Sequence, residues 1–353
     1  MTRDLPQVCA VYGAGTFGRE LADDLTDAGV KVVAIVDRAR TEAHGMIPVI
    51  HPDEFADAAS TPLVIGVFNQ MYDPDELYAL GQAAGHPEVL LPTEARLALG
   101  RAGVRRTHYW LADDVGVFDG CAGHIAQARA LLSDSRSREL FDALVEYRMT
   151  GRTESPVTPH ASDRPYLPHD VAFFGPGEVH LIDAGAYDGD TITGLLDAGV
   201  ALASVLAFEP DPENFDKLSR TVSDLHIPAT VLPLGVSGQT AQLRFHSSDA
   251  AGALTAEGEE LVQCVSLDDM LFHSHPTHIK MDIEGAELAA LNGMNRIVET
   301  AESRLAVSVY HQPHDLWDIP LEVQRLWPGR PMFLRQHGHF GFDTVLYVMD
   351  RPA

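Results

Sequence analysis

Residues 180–191, HLIDAGAYDGDT, constrain the fold more than any other part of the chain. The segment starts apolar, becomes acidic at Asp183, and then places Gly185 and Gly189 among small and acidic residues. Such a pattern predicts a buried parallel strand that runs through a tight loop into a helix. Because glycine has no Cβ, a ligand can approach the backbone of this loop closely. In doubly wound sheets, ligands bind at strand ends of this kind.

A second glycine-rich loop lies near the N-terminus. After a short apolar strand, Gly13, Gly15 and Gly18 form a G-x-G-x-x-G motif, and Asp37 follows 19 residues after the last glycine, at the end of the next strand. This is the dinucleotide-binding fingerprint, in which pyrophosphate reaches a helix N-terminus and the acid binds a ribose diol. No catalytic acid–base set accompanies it. A nicotinamide site, another nucleotide or nucleotide-sugar site, and a retained scaffold all stay open.

The distribution of prolines, glycines and apolar residues divides the chain into three parts. Residues 1–99 form a Rossmann-like nucleotide-binding-type domain whose third predicted strand is Pro62–Phe68. Residues 100–170 form a helical bridge followed by a proline-rich linker, either a surface loop or a lid, which contains Tyr166. From 171 to 353, strands alternate with helices until two closing strands with no helix between them, which must be antiparallel. This is the layout of class I methyltransferases.

Charge and cysteine content limit the functional classes. The formal net charge of the 353 residues is −26, which disfavours binding to nucleic acid or to an anionic membrane. The three cysteines contain no CxxC spacing, which argues against a zinc site or a disulfide framework. The N-terminus lacks a signal-peptide pattern, and no apolar run approaches the roughly 20 residues of a membrane span. We therefore predict a cytoplasmic protein without nucleic-acid or membrane partners.

The C-terminal strand ends indicate the ligand. A molecule lying across two adjacent ends would place an amino-acid group near Asp183 and Gly185 and its ribose near Glu209, where one carboxylate accepts from both hydroxyls. S-adenosylmethionine (SAM) has this shape, and its positive groups suit an acidic cleft. Asp188 and Asp190 would repel a pyrophosphate. The predicted cofactor is SAM, with a nucleotide at the N-terminal domain as an open second ligand.

Five motifs in order, HLIDAGAYDGDT, AFEPDPENF, VSLDDM, HIKMDIEGAELAALNGM and VSVYHQPHDLWDIP, resemble the FkbM family of SAM-dependent methyltransferases. The resemblance covers roughly residues 166–349. It implies an α/β protein with two Rossmann-like domains, the second a seven-stranded class I methyltransferase sheet with a terminal antiparallel hairpin. It also implies methylation of oxygen, on sugars or on hydroxyls of natural products.

The resemblance also implies the residues that bind SAM. The glycine loop would hold the methionine part, Glu209 the ribose, the two residues after Glu209 the adenosine, and the residues after the third strand the adenine. The implied set is Asp183, Gly185, Ala186, Tyr187, Gly189, Glu209, Pro210, Asp211, Gly235 and Val236.

The expected reaction is an SN2 transfer of methyl to a hydroxyl of a small-molecule acceptor. A general base would help, and His311 is the first choice because imidazole titrates near neutral pH; Asp282 and Glu284 are alternatives. No metal is predicted, since the histidine spacings arise easily by chance among 17 histidines. Two other hypotheses are an NAD-dependent oxidoreductase and a non-catalytic SAM- or nucleotide-binding protein. Homo-oligomerisation stays open.

Overall fold

The chain folds into two compact units. The computed structural model describes residues 3–104, 106, 110–111, 115–152, 158–246, 253–254, 260–271, 275–300 and 302–350. The first unit consists of Met1–Ala122, Leu140–Pro159 and Gly338–Phe342, and the second of Gly123–Glu139, His160–His337 and Asp343–Ala353. The boundaries at 99 and 170 stay a prediction, and part of the predicted bridge and linker, including residues 153–157, lies outside the described residues.

The first unit contains a five-stranded parallel sheet with the order β3-β2-β1-β4-β5. Its elements are β1 (Val8–Tyr12), α1 (Thr16–Asp27), β2 (Lys31–Val36), β3 (Val49–Ile50), β4 (Leu63–Ile65), α2 (Pro74–Ala83), β5 (Val89–Leu90) and α3 (Pro92–Arg101). The strand predicted over Pro62–Phe68 is shorter than expected. It ends at Ile65, just before Gly66, where a Cβ would lie 2.9 Å from the Cα of Gly18 in α1. The chain leaves the sheet where this helix crosses it.

The second unit is built on a seven-stranded sheet with the order β15-β16-β14-β13-β6-β7-β8. The elements after α3, in chain order, are α4 (Ala122–Leu131), α5 (Ser135–Thr150), β6 (Val179–Ala184), α6 (Asp190–Asp197), β7 (Leu202–Phe208), α7 (Pro212–Ser223), β8 (Ala229–Leu232), β9 (Gly235–Val236), β10 (Ala241–His246), β11 (Ala253–Leu254), β12 (Glu260–Val265), α8 (Leu267–Met270), β13 (His278–Met281), α9 (Glu287–Asn292), α10 (Asn295–Thr300), β14 (Arg304–Ser308), α11 (Asp315–Leu326), β15 (Met332–Gln336) and β16 (Thr344–Val348). Only β16 runs antiparallel to its two neighbours. The predicted fold class is confirmed.

Between β8 and β13 the chain forms a small sheet, followed by the short helix α8. Its strand order is β11-β10-β12-β9, with β10 antiparallel to β12 and β12 parallel to β9. The link to the large sheet is short, because Gly235 in β9 follows β8 after two residues. The region that the resemblance assigns to the adenine therefore begins beside the third strand of the parallel sheet.

The parallel strands bring distant residues to one edge of the large sheet. Strand β6 pairs in register with β7 on one side and β13 on the other, and β13 pairs with β14. Their carboxyl ends therefore lie together. Because β16 is antiparallel to β14, the start of β16 lies at the same edge. Residues far apart in sequence meet there and form the candidate site.

Helix length also bears on a membrane role. The longest helix among the described residues, α5, has 16 residues. None of the described helices combines the length and the apolar character that crossing a membrane requires.

Candidate active site

The loop after β6 follows a path that only glycine permits at its first turn. Gly185 has φ of +77°, and a Cβ there would lie 1.8 Å from the carbonyl oxygen of Asp282, which follows β13. No neighbour can relieve this overlap, because the contact is with backbone. Further on, Gly189 has φ of +89° at the start of α6. The glycine loop is thus packed directly against the end of β13.

Asp183 lies in β6, just before this loop, and not on the loop surface. Its side chain is fully buried, and Nζ of Lys280 lies 3.0 Å from its Oδ1. Lys280 also donates to the carbonyl oxygen of Gly185. Burial raises the pKa of Asp183. Burial alone would favour a neutral amine, but Asp183 and Asp282 outweigh it and raise the pKa of Lys280. The pair holds the loop against the sheet, and a direct contact of Asp183 with SAM stays a prediction.

Glu209 connects, through hydrogen bonds, the segments that follow β6 and β7. Its Oε2 accepts a hydrogen bond of 2.9 Å from the backbone N–H of Tyr187 in the glycine loop, and its Oε1 accepts one of 2.9 Å from Asp211 N–H. The residue is buried, and burial raises the pKa of Glu209 to about 7. Each oxygen accepts one backbone donor and has a second lone pair for another. Such an arrangement can receive two hydroxyl groups of a ribose.

The remaining predicted SAM residues lie around Glu209. Asp211 caps α7, since its Oδ1 accepts from the N–H groups of Glu213 and Asn214, each at 3.0 Å. A Cβ at Gly235 would lie 3.9 Å from the Cβ of Pro210. The structure thus brings the predicted adenosine and adenine residues together, while their contact with SAM stays a prediction.

At the other strand ends, three carboxylates surround one imidazole. His311 is buried just beyond β14. Its Nε2 lies 3.3 Å from Oδ1 of Asp282 and 3.5 Å from Oε2 of Glu284, and its Nδ1 lies 2.9 Å from Oε1 of Glu287. The three residues predicted for catalysis are therefore in one cluster. Glu287 was not predicted to belong to it, although its position in the first turn of the helix after the KMDIEG segment was the available signal.

Glu287 orders the backbone as well as the imidazole. It is fully buried, and it accepts hydrogen bonds from the N–H of Ile283 at 2.8 Å and of Gly285 at 3.0 Å. Between these donors lies Glu284, which has φ of +54°. A non-glycine residue in this region is strained and persists where surrounding contacts hold it. Glu287 thereby fixes the turn that presents the Glu284 carboxylate.

Burial and the charges of the cluster shift the pKa values of His311, Glu284 and Asp282 in different ways. Burial alone would lower the pKa of His311, but Glu287, Glu284 and Asp282 outweigh it and raise that pKa to about 10. Burial raises the pKa of Glu284 to about 7. Burial works against ionised Asp282, but His311 and Lys280 outweigh it and lower its pKa. At neutral pH, His311 is therefore an imidazolium, Asp282 is ionised, and Glu284 exchanges a proton readily.

Two more residues lie near Asp282. Tyr166, which the sequence analysis placed in the surface loop or lid, donates a hydrogen bond of 2.6 Å from its hydroxyl to Oδ2 of Asp282. Asp343, just before β16, has its pKa raised to about 6 by burial and by Asp282. The sequence analysis did not name Asp343, which lies outside the five motifs. Only the pairing of β16 with β14 brings Asp343 to this edge.

The same cluster contains a set of atoms that could ligate a metal. Among the described residues, ligand atoms of Asp282, Glu287 and His311 lie within 4.8 Å of one another. Imidazole and carboxylate suit several divalent ions. The protonated His311 already balances part of the negative charge, so the expectation of no metal stays a prediction.

In the first unit, the glycine loop is held by its own chain. Gly13 has φ of +106°, and a Cβ at Gly18 would lie 2.0 Å from the carbonyl oxygen of Gly13. Of the three glycines of this motif, only Gly15 has open space at its Cβ position. Asp37 Oδ2 accepts a hydrogen bond of 2.7 Å from Ala14 N–H in this loop. Two glycines are thus explained by backbone geometry alone, and a nucleotide at this loop stays a prediction.

The sheet order and the strand-end residues define the class. A parallel sheet with the order β8-β7-β6-β13-β14, completed by antiparallel β16 and then β15, with a glycine loop after its central strand, is the class I methyltransferase fold.

Comparison with known proteins makes the assignment more specific. Residues 183–339 match the model of the Methyltransferase FkbM domain, so this part of the chain is a methyltransferase domain of the FkbM type. The resemblance drawn from the five motifs is confirmed.

The proteins similar to the chain include a curated relative and a solved structure. The hexuronic acid methyltransferase AglP of Haloferax volcanii is 34% identical over 107 residues, which are 28% of this chain and 44% of AglP. The alignment thus spans less than half of that relative. The crystal structure of Methyltransferase FkbM from Methylobacillus flagellatus KT matches with a TM-score of 0.78 and 24% identity, over 97% of this chain and 90% of that one. This second likeness concerns the fold.

Proposed function

We propose that the protein is a SAM-dependent O-methyltransferase that acts on a hydroxyl of a sugar or of a natural-product small molecule. The FkbM-type domain supports methyl transfer. The name of AglP, a hexuronic acid methyltransferase, supports a sugar acceptor. The three cysteines, Cys9, Cys121 and Cys264, are free, which supports a reducing compartment such as the cytoplasm.

The observation that carries the proposal is the hydrogen bond from Tyr187 N–H to Oε2 of Glu209. It joins the loop assigned to the methionine part of SAM to the carboxylate assigned to its ribose. One extended ligand can therefore contact both. When bound, SAM supplies a methyl group on a sulfonium, which an acceptor oxygen attacks as the carbon–sulfur bond breaks and its electrons return to sulfur.

The side chains of the cluster then have distinct tasks. The acceptor hydroxyl must lose its proton, and a base with a pKa near the working pH is the most effective. Glu284 meets this condition, and a quarter of its side chain is exposed. His311 was the first choice from the sequence, but as an imidazolium it has no lone pair to accept a proton. We therefore assign proton acceptance to Glu284 and charge balance to His311, whose Nε2 lies near both Glu284 and Asp282.

The donor assignment is tested by calorimetry. The purified protein is titrated with SAM and separately with NAD(H), next to a Glu209→Ala variant and a Glu213→Ala control, whose carboxylate is exposed on α7. SAM binding that is lost in Glu209→Ala and kept in Glu213→Ala supports the proposal. Binding of NAD(H) without SAM would favour an oxidoreductase run by the first unit.

The acceptor is tested with two defined sugars. Methyl α-D-glucoside offers only hydroxyls, whereas glucuronic acid offers hydroxyls and a carboxylate. Labelled methyl from SAM that enters either sugar as an alkali-stable ether supports O-methylation of a hydroxyl. An alkali-labile product formed only from glucuronic acid would show a carboxyl methyltransferase instead. SAM binding with no transfer to either sugar would favour a SAM-binding protein without this activity.

A further inference from the structure

Tyr166 occupies a backbone position that normally belongs to glycine. Leu167 N–H donates to the carbonyl oxygen of Arg164 at 2.8 Å, which closes a four-residue turn. Pro165 is its second residue and Tyr166, with φ of +63°, its third. Proline at the second position and a positive φ at the third are the signature of a type II turn. A bulky side chain at this third position is strained, so the strain must be held by other contacts.

Those contacts include residues of the candidate active site. Tyr166 is 6% exposed, and its hydroxyl donates to Oδ2 of Asp282 at 2.6 Å. Its ring packs in an apolar cluster with Phe173 and Tyr347. Nζ of Lys280 lies 5.4 Å from the ring centroid. Burial raises the pKa of Tyr166 well above its usual value, so the phenol stays protonated and remains a donor.

Ion pairs hold the turn from both sides. Before it, Oδ1 of Asp163 accepts from His169 N–H at 2.9 Å, and Oδ2 lies 3.2 Å from Nη2 of Arg136. After it, Asp170 lies 2.7 Å from Arg136 and 2.8 Å from the buried Arg335 of β15. These charged side chains flank the turn that carries Tyr166, and the turn places the phenol against Asp282.

We propose that Tyr166 is a positioning residue of the methyl-transfer site, whose hydroxyl fixes the orientation of the Asp282 carboxylate and leaves its Oδ1 facing His311. The inference rests on the proposed function. With Oδ2 bonded to the phenol, the carboxylate cannot rotate freely, and Oδ1 stays 3.3 Å from Nε2 of His311. The charge on Asp282 in turn supports the imidazolium beside Glu284. Tyr166 acts through Asp282 and needs no contact with the acceptor.

The test compares Tyr166→Phe with a matched control, Tyr147→Phe. Tyr147 is also buried, and it belongs to the first unit. Each variant is labelled with [γ-¹³C]aspartate, and Asp282→Asn identifies the Asp282 signal. In Tyr166→Phe, the titration of this signal is expected to move to higher pH, with about a tenfold change in the protonation constant, because a donor to the ionised form is lost. Tyr147→Phe is expected to leave it unchanged.

Methyl transfer to the sugar that the wild type accepts is measured in parallel. For Tyr166→Phe we expect a kcat about tenfold lower and a SAM Kd within twofold of wild type. An unchanged Asp282 titration, or an equal loss of kcat in Tyr147→Phe, would overturn the inference. If the wild type methylates neither sugar, the proposed function fails, while the carboxyl titration still decides whether Tyr166 controls Asp282.

Discussion

Nδ1 of His311 lies 2.9 Å from Oε1 of Glu287, and both side chains are buried at the carboxyl end of the seven-stranded sheet. Glu287 also accepts hydrogen bonds from two backbone N–H groups, and these hold its carboxylate in the position that faces the imidazole. A fixed, buried anion on one ring nitrogen favours the protonated ring. The sequence analysis expects His311 to be a base. In the structure it is instead a cation, with three carboxylates around it.

The first prediction concerns stability against pH. The pKa of folded His311, about 10, lies above the ordinary 6.5. Its stabilising contribution is therefore complete below about pH 6.5 and is lost as the pH rises through 10. Between these limits this group makes the free energy of unfolding fall with pH, by at most about 1.4 kcal/mol per unit. Glu287→Gln should flatten this slope in urea unfolding at pH 7, 8 and 9, whereas a control at the exposed Glu302, Glu302→Gln, should keep it. Equal slopes in all three proteins would contradict the assignment.

The second prediction separates Glu284 from His311 as the base. Glu284→Gln should lower kcat by about 10²–10⁴-fold, because the neutral amide cannot take a proton. Since Glu284 acts when ionised, wild-type activity should fall as the pH drops through about 7, and this limb should vanish in the variant. His311→Ala should reduce turnover with nearly unchanged SAM affinity. Rates over pH 5–9 measure both effects. A Glu284→Gln variant with normal turnover would show that another residue is the general base.

The third prediction concerns the glycine loop. Gly185→Ala should abolish SAM binding and lower the free energy of unfolding by at least about 2 kcal/mol, since it adds a Cβ against backbone at a positive φ. Gly194→Ala is the control, because Gly194 lies in α6 with no atom within 4 Å of its Cβ position. There alanine should stabilise the helix by about 0.5–1 kcal/mol. Thermal unfolding and SAM titration measure both variants, and normal SAM binding by Gly185→Ala would show that the loop relaxes.

The fourth prediction concerns metals. Exhaustive chelation with EDTA should leave methyl transfer unchanged, because the His311 imidazolium already lies among the carboxylates of Asp282, Glu284 and Glu287. The measurement is the rate before chelation, after it, and after Mg²⁺ is restored. Loss of activity with recovery on Mg²⁺ would instead identify the ligand atoms of Asp282, Glu287 and His311 as an ion site.

Local pattern was sufficient for much of the fold. Strands β15 and β16 are the antiparallel closing pair predicted from the sequence, because two apolar runs with no α-helix between them cannot be joined as parallel neighbours. The end of β4 was not predictable in the same way. It depends on the crossing of α1 at Gly18 and Gly66, which are distant in sequence.

The sequence by itself determined the class of domain, the sheet with its antiparallel hairpin, and the residues at the strand ends, since strand periodicity and motif spacing are local properties. The tertiary structure alone decided their chemical states. The proton on His311, the raised pKa of Glu284 and the burial of Asp183 against Lys280 arise from charges and desolvation that appear only when separate strands meet. Tyr166 reaches Asp282 across 116 residues of sequence for the same reason. Electrostatic free energy depends on distance in space and on burial, and neither quantity can be obtained from local sequence patterns.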